Sequence, residues 1–408
     1  LQETLRSGAS SRAEPPHAPT QTTGSSSVVV ANIDTGIRYT HEDLAANMWT
    51  NPGEIQGNGV DDDNNGFADD YYGYDFFYND PDPIDEHGHG THTAGTIGAV
   101  GNNLLGFVGV NWNVRIMAIK IYDVSGNGTT SAMLVNAYNY IRMMKDRGIN
   151  IRVTNNSYAG CSEACGYDQA TKDGIDAMGN AGILNVFAAG NNGWNNDTVA
   201  SPAYPAAYTS PSILTVAAST STDTRAGFSN YGPISVDIAA PGAGILSTTN
   251  GSNSSYGGNS GTSMAAPHVT GAAALLAAYN PSLSVASLKA TLMNSVDPLT
   301  AWDATPIKTN GKLNVFNALQ NQTVCTLNLT QSSAAISRKG GYIEIEAASA
   351  ANCDFQVTSD RRWIRVQGND VTSGSGSIRV RVDSSQFFGR SGNLIVGGQS
   401  IHVVQGRP

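Results

Sequence analysis

The stretch GTSMAAPHVTGAAALLAAY (residues 261–279) decides the fold of this chain. From residue 264 onward it is apolar around nearly its whole circumference, which is typical of a helix that protein surrounds on all sides. Pro267 stands in the expected first turn, where proline is tolerated. Ser263 lies where the helix begins, next to unpaired backbone N–H groups that favour negative charge. Acyl-transfer chemistry requires such a setting, so Ser263 is the candidate nucleophile.

Two other stretches supply the groups that a serine nucleophile needs. A serine hydroxyl is weakly nucleophilic, so a base must take its proton and a third group must orient that base. His89 in EHGHGTHTAGTIGA (86–99) is the candidate base. Asp34 follows a β-branched run in VVVANIDTGI (28–37), a run that predicts a buried parallel strand. The chain order Asp, His, Ser is one of three in which unrelated proteases build the same catalytic geometry.

These motifs resemble those of the subtilisin-like serine proteases, the subtilases of peptidase family S8, over residues 25–320. The family's nucleophile, histidine and aspartate motifs correspond to GTSMAAPH, HGTH and DTG in this chain. A fourth motif, FAAGNNG (187–193), implies that Asn191 works with the Ser263 backbone N–H as an oxyanion hole. The resemblance implies a serine endopeptidase whose catalytic residues are Asp34, His89, Ser263 and Asn191.

The pattern of the predicted catalytic domain, residues 25–320, indicates an α/β fold. Strand-like runs such as RIMAIKIY (115–122) alternate with helical stretches such as TSAMLVNAYNYIRMMKD (130–146). This alternation predicts a doubly wound, mostly parallel sheet with helices on both faces. The active site is then expected at the carboxyl ends of the strands.

The chain changes character on both sides of this domain. Residues 1–24 lack the family's usual apolar pattern and predict an irregular N-terminal arm. Residues 325–408 alternate as strands with turn residues between them, which predicts a small all-β sandwich. The placement of Cys353, Trp363 and Arg390 resembles BACON domains, and this resemblance implies a glycan ligand. A passive stabilising or spacing module is the alternative.

One strand position departs from the family pattern. Asn32 stands where an apolar residue is usual, and strand alternation places it on the same face as Asp34. A polar side chain at such a position needs hydrogen-bond partners if it is buried.

The resemblance also implies how a peptide substrate binds. The substrate is expected to add an antiparallel strand between segments that match SGNG (125–128) and SYAG (157–160). No charged residue lines the expected pocket for the P1 side chain, the residue before the scissile bond. We therefore expect broad cleavage after medium or large uncharged residues. The implied substrate-binding residues are Gly126, Gly128, Ser157, Tyr158, Ala159, Ala189, Gly190 and Ala203.

The acidic stretch DDDNNGFADD (61–70) matches the opening of a calcium-binding loop, D-x-D-x-N-G. Tyr72 replaces the glutamate expected at the twelfth position, so Asp69 or Asp70 must supply the later carboxylate. A solvated acidic surface loop is the alternative interpretation. The candidate Ca²⁺ ligands are Asp61, Asp63, Asn65, the Phe67 carbonyl, Asp69 and Asp70.

A second calcium site is implied by the resemblance alone. The family's strong calcium site takes an aspartate from the position of Asp43, and a loop that matches VGNNLLGF (100–107) wraps the ion. Ions bound only by the folded state stabilise that state by mass action. The implied ligands are Asp43, Val100, Asn103, Leu105 and Phe107.

The four cysteines form two pairs that are local in sequence. We expect the disulfides Cys161–Cys165 and Cys325–Cys353, although three pairings are formally possible. A zinc site is disfavoured because the pairs lie in different predicted domains and no histidine is spaced to complete either. Disulfides fit an oxidising compartment, so we expect a secreted protein.

The composition excludes several classes of partner. A formal net charge of −10 with only 14% charged residues argues against nucleic acid, because phosphate binding requires clustered lysines and arginines. No apolar run reaches the roughly 18 residues of a membrane-spanning helix. The chain begins at Leu1 without a signal peptide, so we expect a mature monomer whose partners are protein or peptide substrates and its own cleaved prodomain. The competing hypothesis is a glycan-binding or adhesion protein with an inactive protease scaffold.

Overall fold

The computed structural model describes residues 22–158, 166–368, 370–385 and 389–406. The strands before residue 325 are β1 (Gly24–Asp34), β2 (Gly73–Asp75), β3 (Asn113–Lys120), β4 (Ile151–Asn156), β5 (Leu184–Ala188), β6 (Ile213–Ser219), β7 (Ile238–Pro241), β8 (Ile245–Thr248), β9 (Tyr256–Asn259), β10 (Asp297–Pro298) and β11 (Gly311–Lys312). The helices are α1 (His89–Gly98), α2 (Ser131–Asp146), α3 (Gln169–Asn180), α4 (Thr262–Tyr279), α5 (Val285–Asn294) and α6 (Val315–Gln320), with 3₁₀ turns at Ala45–Asn47 and Thr300–Trp302.

Nine of these strands form the central sheet, in the order β10-β11-β7-β6-β5-β4-β1-β3-β2. All neighbouring strands are parallel except β10 and β11, which pair antiparallel. Strands β8 and β9 form a separate hairpin. The predicted doubly wound, mostly parallel α/β fold is therefore confirmed.

Strand β1 shows how the sequence assigns helices to the two faces of the sheet. Val28 and Val30 pack in one buried cluster with α1, α4 and α5, whereas Val29, Ala31 and Ile33 pack in another with α2 and α3. Successive side chains of a strand point to opposite faces, so an unbroken apolar run can bury both.

Helix α4 is the buried central helix that the sequence predicts, but it begins earlier than expected. It begins at Thr262, so Pro267 lies in its second turn and not in its first. Proline has no N–H, so the carbonyl of Ser263, four residues earlier, lacks its helical partner. The hydroxyl of Ser157 donates to this carbonyl at 2.9 Å. A strand-end residue therefore supplies the bond that the helix lacks.

Residues after 325 form two packed sheets. Their strands are β12 (Asn328–Leu329), β13 (Ser333–Ser337), β14 (Gly341–Ala348), β15 (Asp354–Ser359), β16 (Ile364–Val366), β17 (Val371–Ser373), β18 (Gly376–Val382), β19 (Arg390–Val396) and β20 (Gln399–Gly406). The sheet orders are β12-β14-β18-β16 and β13-β20-β19-β15-β17. Alternate residues of β18, namely Ile378, Val380 and Val382, are buried between them. This arrangement is the small β-sandwich that the alternating pattern predicts.

Polar groups connect the sandwich to the α/β domain. Lys289 of α5 lies 2.8 Å from Asp354 of β15, and Lys172 of α3 lies 3.3 Å from Asp370. The structure contains the disulfide Cys325–Cys353, whereas the expected pair Cys161 and Cys165 lies outside the described residues. None of the helices in the described residues combines the length and hydropathy that a membrane crossing requires.

Candidate active site

The aspartate and histidine motifs meet at the carboxyl end of β1. Asp34 ends this strand and is 2% exposed, and His89 is the first residue of α1. His89 Nδ1 lies 2.6 Å from Asp34 Oδ1. The same oxygen accepts the backbone N–H of Thr35 at 2.8 Å, and Asp34 Oδ2 accepts the Thr93 hydroxyl at 3.2 Å. Both carboxylate oxygens are thus held, and one of them orients the imidazole.

The electrostatics of this pair favour the protonated imidazole. Burial lowers the pKa of His89, but the charge of Asp34 and its hydrogen bond act more strongly, so the pKa is raised above its usual value. Burial has the opposite outcome at His92, whose pKa is lowered, and at His268, whose pKa falls to about 4. Of these three histidines, only His89 is hydrogen-bonded to a carboxylate, whereas His92 and His268 bond to backbone carbonyls.

The nucleophile motif lies at the start of α4, a helix that packs against α1. Ser263 is the second residue of α4 and is 9% exposed. Its hydroxyl donates to the carbonyl of Ser157 at 2.9 Å. Together with the reverse bond that compensates for Pro267, this contact fixes Ser263 to the end of β4 through two hydrogen bonds.

Asn191 lies at the start of the same helix. Its Oδ1 accepts the backbone N–H of Thr262 at 2.8 Å and the Thr262 hydroxyl at 2.9 Å. These bonds direct the amide nitrogen away from Thr262. A methyl group on Gly261 would lie 3.6 Å from both Asn191 Nδ2 and the Ser263 backbone nitrogen. The nitrogens of the two predicted oxyanion donors therefore lie near one common point.

The predicted P1 pocket residues lie next to these donors. Ala189 and Gly190 follow β5, and a Cβ built on Gly190 would lie 3.1 Å from that of Ala203. The Tyr204–Pro205 bond after Ala203 is cis. The three predicted residues therefore lie together and present no charge.

The two segments predicted to bind the substrate backbone are 125–128 and 157–160. Gly126 and Gly128 have φ angles of 72° and 93°, a region that favours glycine. Ser157 is buried, and the Tyr158 side chain points into the core, where its hydroxyl bonds to Tyr138 at 2.7 Å. Only the backbone of Tyr158 can then contact a substrate. Ala159 lies outside the described residues.

Three carboxylates converge in the acidic loop region. Oxygen atoms of Glu54, Asp63 and Asp70 lie within 4.8 Å of one another. Asp63 Oδ1 is buried and accepts no hydrogen bond from the described residues. Burial raises the pKa of Asp70 to about 6 against the hydrogen bonds that it accepts. Arg147 Nη2 lies 3.3 Å from Asp63 Oδ1, so one guanidinium faces three carboxylates. The remaining negative charge and the oxygen donors fit a hard cation such as Ca²⁺.

Sequence reasoning missed Glu54, because it precedes the D-x-D-x-N-G stretch and only the fold brings it to Asp63 and Asp70. The amide nitrogen of Asn65 faces the cluster, donating to Asp70 at 2.9 Å. A role as an oxygen ligand would require this amide to flip.

Two other predicted ligands, Asp61 and Asp69, accept backbone N–H groups of the loop. Asp61 accepts the backbone N–H groups of Asn65 and Gly66 at 2.9 and 2.8 Å. Asp69 accepts those of Asn58 and Gly59 at 3.1 and 2.7 Å. These carboxylates hold the loop backbone in shape. The Phe67 ring packs against Tyr74, Phe76 and Tyr140, and its carbonyl stays a predicted ligand.

The residues of the second predicted calcium site also lie together. Asp43 is fully buried and accepts Asn103 Nδ2 at 2.7 Å and the Phe107 N–H at 3.4 Å. Its own carbonyl accepts the Val100 N–H at 2.9 Å, and Leu105 donates its N–H to Asn103 at 3.1 Å. No lysine or arginine among the described residues pairs with Asp43. A buried carboxylate without a basic partner fits a cation site.

The doubly wound sheet, the Asp34–His89 contact and the position of Ser263 at the start of a buried helix fit a serine protease of the α/β class. Comparison with known proteins agrees, because residues 25–325 match the sequence model of the Subtilase family. The chain therefore belongs to the subtilase family. Relatives of this chain are named as a protease or proteinase.

The sequence matches to known relatives cover most of this chain. The chain is 35% identical over 291 residues to thermitase from Thermoactinomyces vulgaris, covering 71% of this chain and 88% of thermitase. It is 33% identical over 330 residues to "Subtilisin-like protease 1" of Plasmodium berghei, covering 77% of this chain but only 51% of that protein. A solved structure described as a cold adapted subtilisin-like serine proteinase is 28% identical, with a TM-score of 0.56, and the match covers 77% of this chain and 96% of that one.

Proposed function

We propose that this chain is a secreted, calcium-stabilised serine endopeptidase that cleaves peptide bonds through the triad Asp34, His89 and Ser263. The observation that carries the proposal is the 2.6 Å contact between His89 Nδ1 and the buried Asp34 carboxylate. That contact leaves Nε2 as the basic nitrogen of a neutral imidazole and stabilises the imidazolium that forms when it accepts a proton.

The first half of the reaction forms an acyl-enzyme. The Ser263 hydroxyl hydrogen turns from the Ser157 carbonyl to His89 Nε2, and Oγ attacks the scissile carbonyl carbon as His89 takes the proton. The negative carbonyl oxygen of the tetrahedral intermediate accepts hydrogen bonds from Asn191 Nδ2 and the Ser263 N–H. The imidazolium then protonates the leaving amine, and the C–N bond breaks to leave an ester on Ser263.

The second half repeats these steps with water. His89 removes a proton from a water molecule, the resulting hydroxide attacks the ester carbonyl, and the same donors stabilise the second oxyanion. The imidazolium returns its proton to Ser263 Oγ, which releases the peptide acid. Asp34 remains ionised throughout and orients the ring.

Selectivity is proposed to depend on size and charge at P1. Ala189, Gly190 and Ala203 bring no charge to the pocket, so a charged P1 side chain would lose its hydration without a partner. We therefore propose broad cleavage after medium or large uncharged residues. Backbone pairing along Gly126, Gly128 and Ser157 would add little side-chain selectivity.

Two calcium sites are proposed to stabilise the enzyme. Glu54, Asp63 and Asp70 would hold one ion, and Asp43 with the loop 100–107 would hold the other. Calcium would supply positive charge to buried carboxylates and thereby fix surface loops. Extracellular location, a monomeric state and inhibition by a cleaved prodomain belong to the same proposal, supported by family membership and by the Cys325–Cys353 disulfide.

Hydrolysis of a chromogenic peptide with an uncharged P1 residue tests the proposal. The full chain is expected to turn over this substrate and to lose activity with phenylmethylsulfonyl fluoride. Ser263→Ala is expected to lower kcat by about 10⁶-fold, whereas Ser252→Ala, at an exposed serine, is expected to leave it unchanged. Turnover that survives in Ser263→Ala would reject the nucleophile assignment.

A glycan is the second candidate ligand. A cavity of about 240 Å³ lies between the α/β domain and the sandwich, and its lining includes Tyr167, Tyr204, Tyr208 and Asp370. The tyrosine rings contact one another at centroid distances of 4.7 to 5.7 Å. Aromatic rings with a few polar groups are typical of pockets for small organic ligands. Polysaccharide binding by Ser263→Ala, lost in the further variant Tyr167→Ala, tests this role, and binding without any peptide hydrolysis by the unmodified chain would favour the inactive-scaffold hypothesis.

A further inference from the structure

Asn32, the polar departure in β1, is fully buried and has partners on both sides. Its Nδ2 donates to the carbonyl of Gly90 and to the hydroxyl of Thr93, both at 3.2 Å. Its Oδ1 accepts Asn155 Nδ2 at 2.9 Å. The amide nitrogen is therefore directed toward α1, whereas the oxygen bonds to β4 and also lies 3.2 Å from the Thr93 hydroxyl.

Thr93 connects this amide to the catalytic carboxylate. Its hydroxyl lies 3.2 Å from Asp34 Oδ2, while the other oxygen of Asp34 contacts His89. A hydroxyl donates one hydrogen, and the alternative acceptors are the Gly90 carbonyl at 3.0 Å and Asn32 Oδ1 at 3.2 Å. Because Asn32 Nδ2 already donates to the Thr93 oxygen, the hydroxyl hydrogen is free for an acceptor, and a charged acceptor gives the stronger bond.

Asn155 extends the connection to the nucleophile. Its Nδ2 donates to the Ser157 hydroxyl at 3.0 Å, and its Oδ1 accepts the hydroxyl of Thr270 on α4 at 3.0 Å. The Ser157 hydroxyl in turn donates to the carbonyl of Ser263. Buried hydrogen bonds therefore run from the Asp34 carboxylate to the Ser263 backbone through β1, α1 and β4.

We propose that Asn32 and Thr93 are positioning residues that hold the Asp34 carboxylate in line with His89 and set its place relative to Ser263. This inference rests on the proposed proteolytic function. Buried polar groups are costly unless satisfied, and a fully satisfied network rigidifies its surroundings. Neither side chain touches the substrate, so each acts only through Asp34 and the strands.

Thr93→Val tests the link, because valine has a similar shape but no hydroxyl. We expect kcat/KM on the pH plateau to fall about tenfold, the usual value of a hydrogen bond to a charged group, with KM nearly unchanged. Thr93→Ser keeps the hydroxyl and is expected to stay within about twofold of the unmodified enzyme. Thr96→Val is the matched control, since Thr96 is buried one turn further along α1 and bonds to His92 and Ser247.

The pKa of His89 gives a readout that needs no turnover. In Thr93→Val, Asp34 loses a donor but keeps the Thr35 N–H, so more of its charge acts on the imidazolium. We expect the pKa of His89, measured by NMR in the Ser263→Ala background, to rise. The charged or titratable groups that face or influence this ring are Asp34, Asp85, His87 and His92.

Asn32→Val tests the other half of the pair. It removes one bond each from Asn155 Nδ2, which keeps Ser157, and from the Thr93 hydroxyl, which keeps Asp34. The link between β1, α1 and β4 is thereby broken, so we expect a loss in kcat/KM similar to that in Thr93→Val. The double variant Asn32→Val/Thr93→Val is expected to lose less than the product of the two single losses, because both act through one connection.

The outcomes separate this inference from the proposed function. An unmodified chain without hydrolytic activity would reject the function, whereas the NMR titration would still report on the Thr93–Asp34 link. An unchanged or lowered His89 pKa in Thr93→Val, or an equal loss of kcat/KM in Thr96→Val, would reject the positioning role. If Thr93→Val does not fold, Thr93→Ala is compared with Thr93→Ser by the same two measurements.

Discussion

Lys289 Nζ and Asp354 Oδ2 lie 2.8 Å apart, although one belongs to the α/β domain and the other to the C-terminal sandwich. Both side chains are no more than 5% exposed. Burial lowers the pKa of Lys289, but the charges of Asp237 and Asp354 outweigh burial, so this pKa is raised. Burial raises the pKa of Asp354, but Lys289 and Lys308 outweigh burial, so this pKa is lowered. The sandwich is therefore attached through a buried charge pair and is not simply tethered by its linker.

Asp354→Ala is expected to destabilise the whole chain. Removing one partner leaves the Lys289 charge buried with only Asp237 at 3.7 Å, and breaking a buried pair costs about 3–5 kcal/mol. Denaturant unfolding in the Ser263→Ala background, which prevents self-digestion, measures the loss. Asp146→Ala is the control because its pair with Arg142 is exposed, and it is expected to cost under about 1 kcal/mol. Equal losses in the two variants would contradict a buried ionic junction.

The fold and the catalytic motifs could be predicted because their signals are local. The apolar run before Asp34 is buried on both faces of a sheet strand, and the all-apolar run after Ser263 forms a buried helix. Each such signal depends on side chains within a few residues of one another. The β-sandwich was predictable for the same reason, since alternate residues of β18 face its core.

The contacts that hold the site together could not be predicted, because they join residues distant in sequence. Only the folded chain brings Glu54 to Asp70, Thr93 to Asp34 and Asp354 to Lys289. Pro267 illustrates the difference: its place in the second turn is tolerated because Ser157, on another element, satisfies the freed carbonyl. No propensity of the helix sequence contains that information.

Activity is expected to rise with pH through one ionisation. His89 must be neutral to accept the Ser263 proton, and its pKa is raised, so half-maximal kcat/KM is expected above about pH 6.5, the ordinary histidine value. The folded state favours the protonated ring. The stability from this interaction is therefore present below the unfolded pKa and is lost as pH rises through the folded pKa. A pH profile of kcat/KM and unfolding curves of Ser263→Ala check both trends. A half-maximal kcat/KM at a pH below about 6 would contradict the Asp34–His89 interaction.

Gly261→Ala is expected to impair catalysis without harming the fold. The methyl group would lie 3.6 Å from Asn191 Nδ2 and from the Ser263 nitrogen, an ordinary packing distance but in the space proposed for the oxyanion. Loss of one oxyanion donor costs about 10²–10³-fold in kcat, and we expect a similar loss here. Gly227→Ala is the control, because a Cβ there meets no atom within 4 Å. The thermal midpoints of the two variants are compared first, to verify that both are folded. Equal activity of two equally stable variants would then show that the oxyanion lies elsewhere.

Calcium removal is expected to lower the thermal midpoint through two separable sites. A ligand at 100 times its Kd stabilises by about 2.7 kcal/mol, so chelation is expected to remove roughly that amount per saturated site. Glu54→Gln and Asp43→Asn each remove a carboxylate from one cluster, and each is expected to abolish part of the calcium-dependent shift in Ser263→Ala. Asp82→Asn, at an exposed carboxylate outside both clusters, is the control and is expected to retain the full shift.

The double variant Glu54→Gln/Asp43→Asn decides whether the clusters are independent. The two groups belong to separate loops and share no hydrogen bond among the described residues. Distant sites without shared partners contribute additively, so the double variant is expected to lose both parts and to melt at the same temperature with calcium or chelator. Titration calorimetry gives the ion count directly. A shift that persists in the double variant would mean that calcium binds through residues other than these carboxylates.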